Sequence, residues 1–247
     1  MRITKAIKET YETDGVAIIP NVFTSDECEE MKGAALDSIN KENPKYPHRY
    51  LERHNGYPAL IFWPSLINKT LDTYRKDARL ARIVKTFLGD NVKQLNNQVY
   101  FRNPGDGDQF AWHQDVCFRQ PAERYPGIES SYLQTIIALD DITLENSPVE
   151  FIPGSHKHGI QDTYGGAQVT KMLRYFKRQG LEGRKYTANK GDVMIWSVLT
   201  IHGSEPNESA RTRTTFMNGF AKADSAMDWP YYLKDGEVQD ADHTLIP

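Results

Sequence analysis

Cysteine is scarce in this chain of 247 residues, which contains only Cys28 and Cys117. Two thiols in a chain of this length can form neither a disulfide framework nor the four-thiolate cage of a structural zinc site. Long apolar runs are also missing, since no stretch approaches the roughly 20 residues of a membrane-spanning helix. The sequence therefore predicts a protein of a reducing compartment, the cytoplasm, that does not enter a membrane.

An excess of charge of one sign is lacking as well. The formal net charge is −3 and the isoelectric point is near 6.2, so the chain has no basic surface of the kind that nucleic acid or an anionic membrane attracts. Charged residues such as Arg2, Lys5 and Glu9 interrupt any apolar signal-peptide core near the start. These features favour a small molecule as the partner.

The composition suits one globular domain. Apolar residues make up 39% of the chain and charged residues 26%, which is enough to bury a sizeable core in a chain of this length. We expect a single domain over residues 1–247, with a mainly helical part at 1–92, a β core at 93–222 and a C-terminal tail at 223–247.

Helical signals are concentrated in the first part. Thr24 and Glu27 have capping-box spacing ahead of apolar residues at helical intervals, and an apolar run at residues 16–19 predicts a short strand before them. A second apolar stripe predicts a helix over residues 76–88, with Gly89 as its left-handed C-terminal stop.

From about residue 93 the pattern becomes short runs rich in Val, Ile, Tyr, Thr and Phe between turn residues. Strands are predicted at residues 94–102, 110–117, 132–139, 149–152, 192–196, 199–202 and 211–220, and a helix near 171–179. Because these strands do not alternate with helices, we expect an antiparallel sandwich or barrel.

A histidine and a carboxylate in the second predicted strand point to a metal site. His113 and Asp115 are two positions apart, so on a strand both side chains project from the same face. A third candidate ligand, His202, follows another predicted strand. Two imidazoles and one carboxylate on one side of an ion, with the other side open, form the ligand set of iron(II) oxygenases.

An arginine near these ligands would bind a carboxylate co-substrate. If residues 205–210 form a hairpin loop centred between Asn207 and Glu208, position 202 lies opposite Arg213 on the neighbouring strand. The planar guanidinium is a natural bidentate partner for the distal carboxylate of 2-oxoglutarate. Arg211 shares the strand face but lies nearer the turn, so it ranks second.

The sequence resembles the phytanoyl-CoA dioxygenase family in a set of segments that follow the family order across most of the chain. The matching segments are Asp14-Gly15 with Val16–Pro20, Asn103-Pro104-Gly105, Trp112-His113-Gln114-Asp115, Ala138-Leu139-Asp140-Asp141, Phe151–Lys157, Gly191-Asp192-Val193, and His202-Gly203-Ser204 through Arg213. The resemblance implies a double-stranded β-helix (jelly-roll) core, iron(II), 2-oxoglutarate as co-substrate, dioxygen as oxidant, and release of succinate and carbon dioxide as a small organic substrate is hydroxylated.

Residue by residue, the resemblance implies that His113, Asp115 and His202 bind iron and that Arg213 anchors 2-oxoglutarate. It also places Ser204 and Phe110 along the 2-oxoglutarate site. Gln98, on the strand before the Asn-Pro-Gly turn, is a looser candidate for the same site. The catalytic, metal-binding and co-substrate residues of this hypothesis are thus His113, Asp115, His202, Arg213, Ser204, Phe110 and Gln98.

Two positions depart from the family pattern. Asn146-Ser147-Pro148 stands where the family usually has Asn-Gly, which indicates a different turn. Ile136 stands where many members carry a tryptophan, so an aromatic contact to 2-oxoglutarate from that strand is in doubt. Asp115 is retained, whereas halogenating relatives replace it with a small residue, so the sequence disfavours halogenation.

Other functions and other roles for these residues fit the sequence less well. A jelly-roll hydrolase or isomerase would use a similar triad with zinc or manganese but would not need Arg213, and a silent binding module would have lost a member of the set. His156 and His158 lie among glycines and are expected in a loop, and Trp112 is expected to pack in the core. The cations between Lys171 and Lys185 predict either a solvated helix face or a lid over an anionic substrate, with assistance from Arg119.

Overall fold

Two antiparallel β-sheets face each other in the computed structural model, which describes residues 2–39, 51–54, 57–105, 109–163, 165–242 and 244. Within these residues there are five α-helices: α1 (Lys5–Asp14), α2 (Ser25–Ser38), α3 (Lys69–Arg75), α4 (Ala78–Leu88) and α5 (Gly166–Arg178). The strands are β1 (Val16–Ile19), β2 (Leu51–His54), β3 (Tyr57–Phe62), β4 (Val92–Arg102), β5 (Phe110–His113), β6 (Tyr132–Ala138), β7 (Val149–Phe151), β8 (Arg184–Tyr186), β9 (Val193–Ser197), β10 (His202–Ser204), β11 (Arg213–Lys222), β12 (Tyr231–Lys234) and β13 (Glu237–Val238).

The larger sheet has the strand order β1-β9-β6-β11-β4-β12-β13, and the hairpin of β2 and β3 joins it through β4. Its outward residues, including Val99, Ile137, Val193 and Phe216, form the main core with the apolar faces of α2, α3 and α4. This explains why helical stripes were readable in the first part of the sequence. No helix in the described residues has the length and apolar character needed to cross a bilayer.

The smaller sheet has the order β5-β10-β7-β8. Phe151 on β7 packs against Ile136, Met194 and Trp196, whose side chains point inward from the larger sheet. The space between the sheets is therefore lined by alternate residues of both, as strand geometry requires. This interior contains the candidate site.

The entry to α2 is fixed by the capping box that the sequence predicts. The Thr24 side chain accepts from the backbone N–H of Glu27 at 3.2 Å, and the Glu27 carboxylate accepts from the Thr24 N–H at 2.8 Å. Glu27 also pairs with Arg79 of α4, and this hydrogen bond is the main reason that the pKa of Glu27 falls to about 2. One carboxylate thus joins two helices.

We expect Thr24→Ala to lower the free energy of unfolding by about 1 kcal/mol, because a helix cap is lost. Thr86→Ala is the matched control, since Thr86 lies within α4 and bonds to the carbonyl of Arg82. Alanine has the higher helix propensity, so the control should be neutral or slightly stabilising. Urea denaturation measures the free energy of unfolding of both variants. Equal changes in the two would contradict the role of Thr24 as a helix cap.

Several element boundaries differ from the sequence expectation. The helix expected at 76–88 begins at Ala78 because Asp77 caps it, and Lys76 is the C-cap of the separate helix α3, which ends at Arg75. Gly89 ends α4 with φ of 89° and ψ of −160°, which is a positive φ but not the helical left-handed region. The strand expected at 110–117 ends at His113, and a 3-10 turn from Asp115 to Phe118 replaces its second half.

Candidate active site

His113, Asp115 and His202 converge between the sheets. β5 and β10 are hydrogen-bonded neighbours, and His202 lies directly opposite His113 in their register. Asp115 opens the 3-10 turn that follows β5, which keeps its carboxylate beside the two imidazoles. The three potential ligand atoms lie within 4.8 Å of one another, so the residues predicted from the sequence come together in one cluster that could hold a metal ion.

Backbone carbonyls orient both imidazoles. His113 Nδ1 lies 2.8 Å from the carbonyl oxygen of Ala111, and His202 Nδ1 lies 2.8 Å from that of Thr200. Because a carbonyl can only accept, both Nδ1 atoms must carry the proton. Each Nε2 lone pair is then left to face Asp115, at 3.8 Å from His113 and 3.7 Å from His202 to its Oδ1.

These separations are longer than a hydrogen bond, and they suit donors that share an ion rather than each other. Burial, together with the neighbouring His113, lowers the pKa of His202 to about 4, so its imidazole is neutral at physiological pH. A neutral imidazole is the form that binds a metal. The cluster supplies two nitrogen donors and one carboxylate oxygen, which fits iron(II).

Contacts outside the ligand set hold the triad in place. Trp196 Nε1 donates to Asp115 Oδ2 at 2.8 Å, which leaves Oδ1 directed at the imidazoles. The Trp196 and Phe151 rings also lie 5.3 and 5.5 Å from the His202 ring. The Thr200 hydroxyl donates to the carbonyl of Gly15 at 2.8 Å, so the carbonyl that orients His202 is tied to the start of the chain.

Trp196→Phe should weaken iron(II) binding by about 10- to 100-fold, because it removes the donor that orients Asp115 and keeps most of the ring packing. Trp229→Phe is the control, since its Nε1 donates to the Tyr125 hydroxyl, outside the ligand set. Anaerobic iron titration would measure the affinities. Equal affinities for the two variants would show that the indole does not support the site.

Arg213 is the first residue of β11 and is only 4% exposed. The hairpin expected from sequence is wrong. β10 belongs to the smaller sheet and pairs with β5 and β7, whereas Arg213 belongs to the larger sheet and lies opposite Arg102 of β4. Arg213 therefore approaches the interior from the opposite sheet and not from the strand next to His202.

Arg213 and Arg102 form a cross-strand pair of like charges at which an anion would be stabilised. Arg102 is 7% exposed, and such a pair is unfavourable unless an anion lies close by. Arg213 Nη2 donates to the carbonyl of Ser147 at 2.8 Å, but its buried Nε has no partner in the described part of the chain. Burial and the charge of Arg102 lower the pKa of Arg213 to about 9, which still leaves it protonated at neutral pH.

Contacts across the interior connect the arginine pair to the candidate metal ligands. Arg102 Nη2 lies 3.3 Å from the hydroxyl of Ser204, at the far end of the short strand that begins with His202. Arg102 Nε also donates to the Ser147 hydroxyl at 3.2 Å. Sequence analysis missed both Arg102 and Ser147. The alternation of positions 98, 100 and 102 along β4 was the available signal for Arg102.

The other candidates for the co-substrate site lie near this cluster. Phe110 pairs in register with Ser204, is 40% exposed, and has its ring 5.3 Å from that of His113. Gln98 is half-buried on the same face of β4 as Arg102 and lies opposite Met217 of β11. Their contacts to 2-oxoglutarate remain a prediction.

Three further sequence hypotheses concern residues outside the cluster. His156 Nε2 lies 3.3 Å from the carbonyl of Glu12, and His158 contacts Tyr175, so neither approaches the triad. Trp112 packs as expected in an apolar cluster with Met172 and Phe176 of α5. Because Trp112 alternates with His113, this cluster places α5 on the outer face of the smaller sheet. That position does not support a lid formed by residues 171–185.

Comparisons with known sequences agree with this geometry. The sequence profile of the phytanoyl-CoA dioxygenase family matches residues 11–215. A probable alpha-ketoglutarate-dependent hypophosphite dioxygenase of Stutzerimonas stutzeri is 26% identical over 89% of this chain and 78% of its own length. An L-proline trans-4-hydroxylase of Streptomyces griseoviridis is 23% identical over 85% of this chain and 83% of its own length.

A solved structure has the same fold. The crystal structure of EctD from S. alaskensis with 2-oxoglutarate and 5-hydroxyectoine superposes with a TM-score of 0.76. It is 19% identical and covers 99% of this chain and 83% of its own chain. The mainly β, jelly-roll architecture expected from the sequence is confirmed.

Proposed function

Since the chain belongs to the phytanoyl-CoA dioxygenase family, it is an iron(II)- and 2-oxoglutarate-dependent dioxygenase, and we propose that His113, Asp115 and His202 hold its iron. The observation that carries this assignment is the convergence of three ligand atoms within 4.8 Å in the same interior as two buried arginines. A hydrolase would need the triad but not the arginine pair.

The bound iron and 2-oxoglutarate supply the oxidising chemistry, in which dioxygen gives one oxygen atom to succinate and one to the substrate as carbon dioxide is released. The protein's own residues orient the iron ligands and neutralise the charge of 2-oxoglutarate. Ala111 and Thr200 fix the imidazole tautomers, and Trp196 fixes Asp115. Arg213 anchors the distal carboxylate of 2-oxoglutarate, with Arg102 and Ser204 beside it.

The arginine pair suits a carboxylate of the co-substrate. Two guanidinium groups at opposite positions of paired strands repel each other, and a carboxylate bound at Arg213, whose buried Nε has no partner among the described residues, would reduce that repulsion. Ser204 lies roughly 7 Å along β10 from His202 at the usual rise of a strand. A short dicarboxylate can therefore reach from the metal ligands to the arginines.

The substrate is a small molecule, and we propose that it carries an anionic group. Hypophosphite and L-proline, which appear in the names of two similar proteins, are an anion and an amino acid with a carboxylate. The two free cysteines fit a reducing compartment, and the cytoplasm is the proposed location. Hydroxylation is the proposed outcome.

Anaerobic loading tests this function directly. Protein that receives iron(II) and 2-oxoglutarate without oxygen should develop a weak charge-transfer band in the visible. When oxygen is then added together with each of a set of small anionic compounds, the true substrate should be recognised by the succinate that forms. A chain that binds iron but shows neither the band nor any succinate would not be a 2-oxoglutarate oxygenase.

A further inference from the structure

Arg119 is a half-buried cation that the proposed co-substrate site does not use. It follows the 3-10 turn that carries Asp115, and its Nη2 donates to the Tyr132 hydroxyl at 2.8 Å. Its guanidinium carbon lies 5.0 Å from the centre of the Tyr132 ring. Nη1 reaches the carbonyl of Phe118 at 3.4 Å, and the buried Nε has no partner within the described ranges. Its hydrogen bonds are thus to neutral oxygens.

A series of neighbouring residues connects Arg119 to the candidate metal ligands. The Tyr132 hydroxyl donates to Gln134 Oε1 at 2.5 Å, and Gln134 lies opposite Trp196 in the register of β6 and β9. Trp196 in turn donates to Asp115. Gly219 of β11 leaves space for this group, because a Cβ there would collide with the Tyr132 hydroxyl.

The charge of Arg119 is only partly balanced. Burial acts to lower the pKa of Arg119, but Tyr132 and the Asp115 carboxylate outweigh that effect. The net pKa is raised above its ordinary value, so the guanidinium is charged. Among the described residues, Asp115 is the carboxylate that acts on it, and the proposed iron shares that same carboxylate. A half-buried cation whose one neighbouring carboxylate would be shared with a metal ion is incompletely neutralised. An anion from outside the protein would meet this need.

The geometry points to Arg119 as the anchor for an anionic group of the substrate, such as a carboxylate or another small oxyanion. This inference rests on the proposed function, since it places the substrate beside the iron ligands. Tyr132 acts as a positioning residue that holds the guanidinium. Phe118, 59% exposed with its ring 5.4 Å from that of His113, supplies an apolar contact next to the anchor.

The test uses propionate as the probe and propionamide as its neutral counterpart. Saturation-transfer NMR would follow both compounds on the full chain, once without metal and once with saturating 2-oxoglutarate and Zn(II) in place of iron. We expect propionate to bind and propionamide not to bind. Arg119→Gln should weaken propionate binding by about tenfold or more, while the 2-oxoglutarate signal in the same tube stays unchanged.

Four other variants separate this role from a structural one. Arg211→Gln, at an exposed arginine, should bind propionate as the parent protein does. Arg213→Gln should lose 2-oxoglutarate but keep propionate. Tyr132→Phe keeps the charge of Arg119 but removes the hydroxyl oxygen that positions its guanidinium, so propionate should bind several-fold more weakly. Arg119→Lys should recover part of the affinity.

The inference is overturned if propionate and propionamide bind alike, if the parent protein binds neither, or if Arg119→Gln keeps full affinity. Should Arg119→Gln fail to fold, unchanged binding by Tyr132→Phe overturns it. Failure of the proposed function looks different. In that case the 2-oxoglutarate signal is missing from the parent protein, while the dependence of propionate on Arg119 is still measured in the metal-free sample.

Discussion

His113→Ala, Asp115→Ala and His202→Ala should each lower iron(II) affinity by more than roughly 100-fold, which is the upper end of the loss when a supporting contact is removed. Each variant deletes a donor from the three-atom cluster. The visible band of the anaerobic iron and 2-oxoglutarate complex should disappear with the iron. Asp115→Ala should be severe because it removes the negatively charged ligand and leaves two neutral imidazoles.

His158→Ala provides the control for these variants. His158 contacts Tyr175 on the outer helix α5 and contributes no ligand atom to the cluster. It should keep full iron occupancy and an unchanged band. If all three triad variants kept both, these residues would not be the iron ligands.

Arg213→Ala should raise the concentration of 2-oxoglutarate needed for half-saturation by about 30-fold or more. Loss of one partner from a buried, charge-assisted contact costs on the order of 2–5 kcal/mol, and each 1.4 kcal/mol is about tenfold in affinity. Lysine at position 213 restores the charge without the planar fork, so affinity should recover only in part. Anaerobic titration of the visible band measures all of these variants.

Arg211→Ala is the matched comparison, since the two arginines are two residues apart. Arg211 is exposed before β11 begins, whereas Arg213 is buried opposite Arg102. The Arg211 variant should change the 2-oxoglutarate requirement only a few-fold. A larger loss from Arg211 than from Arg213, with iron binding intact in both, would contradict the assignment of the anchor.

The ligand cluster was predictable because its information is local. His113 and Asp115 are close in sequence, and their spacing alone places both side chains on one side of the chain. The strand ends at His113, and Asp115 already belongs to a 3-10 turn. The predicted residues therefore do converge, on a partly different backbone, since a turn after the strand still directs the carboxylate towards the imidazoles.

The position of Arg213 could not be derived in the same way. Sequence reasoning placed it opposite His202 because short connections between strands usually form hairpins. In the structure the chain leaves the smaller sheet after Ser204 and enters the larger sheet at Arg213. Which sheet a strand joins depends on contacts distant in sequence, and a single hairpin loop carries no signal for them.

Arg102 and Arg119 were hard to recognise for a related reason. A buried arginine looks like a surface arginine in sequence, and only the partners in space show whether its charge is balanced. Arg119 was noticed for its proximity to the metal strand, but its contact with Tyr132 joins a turn to β6. The alternation of residues along β4 indicates which of its faces points inward. It does not indicate that Arg213 lies opposite Arg102 on the neighbouring strand.

The hydrogen bond from the Thr200 hydroxyl to the Gly15 carbonyl joins residues that are far apart in the sequence, and such contacts affect how this protein folds. The earliest strand, β1, pairs with β9, which is made late in the chain, and Thr200 is tied to the residue just before β1. During synthesis the first segment must wait for most of the polypeptide before it finds its neighbours. Contacts of such long range close slowly because a large loop must be ordered first. The three proposed iron ligands should therefore be among the last side chains to reach their final positions.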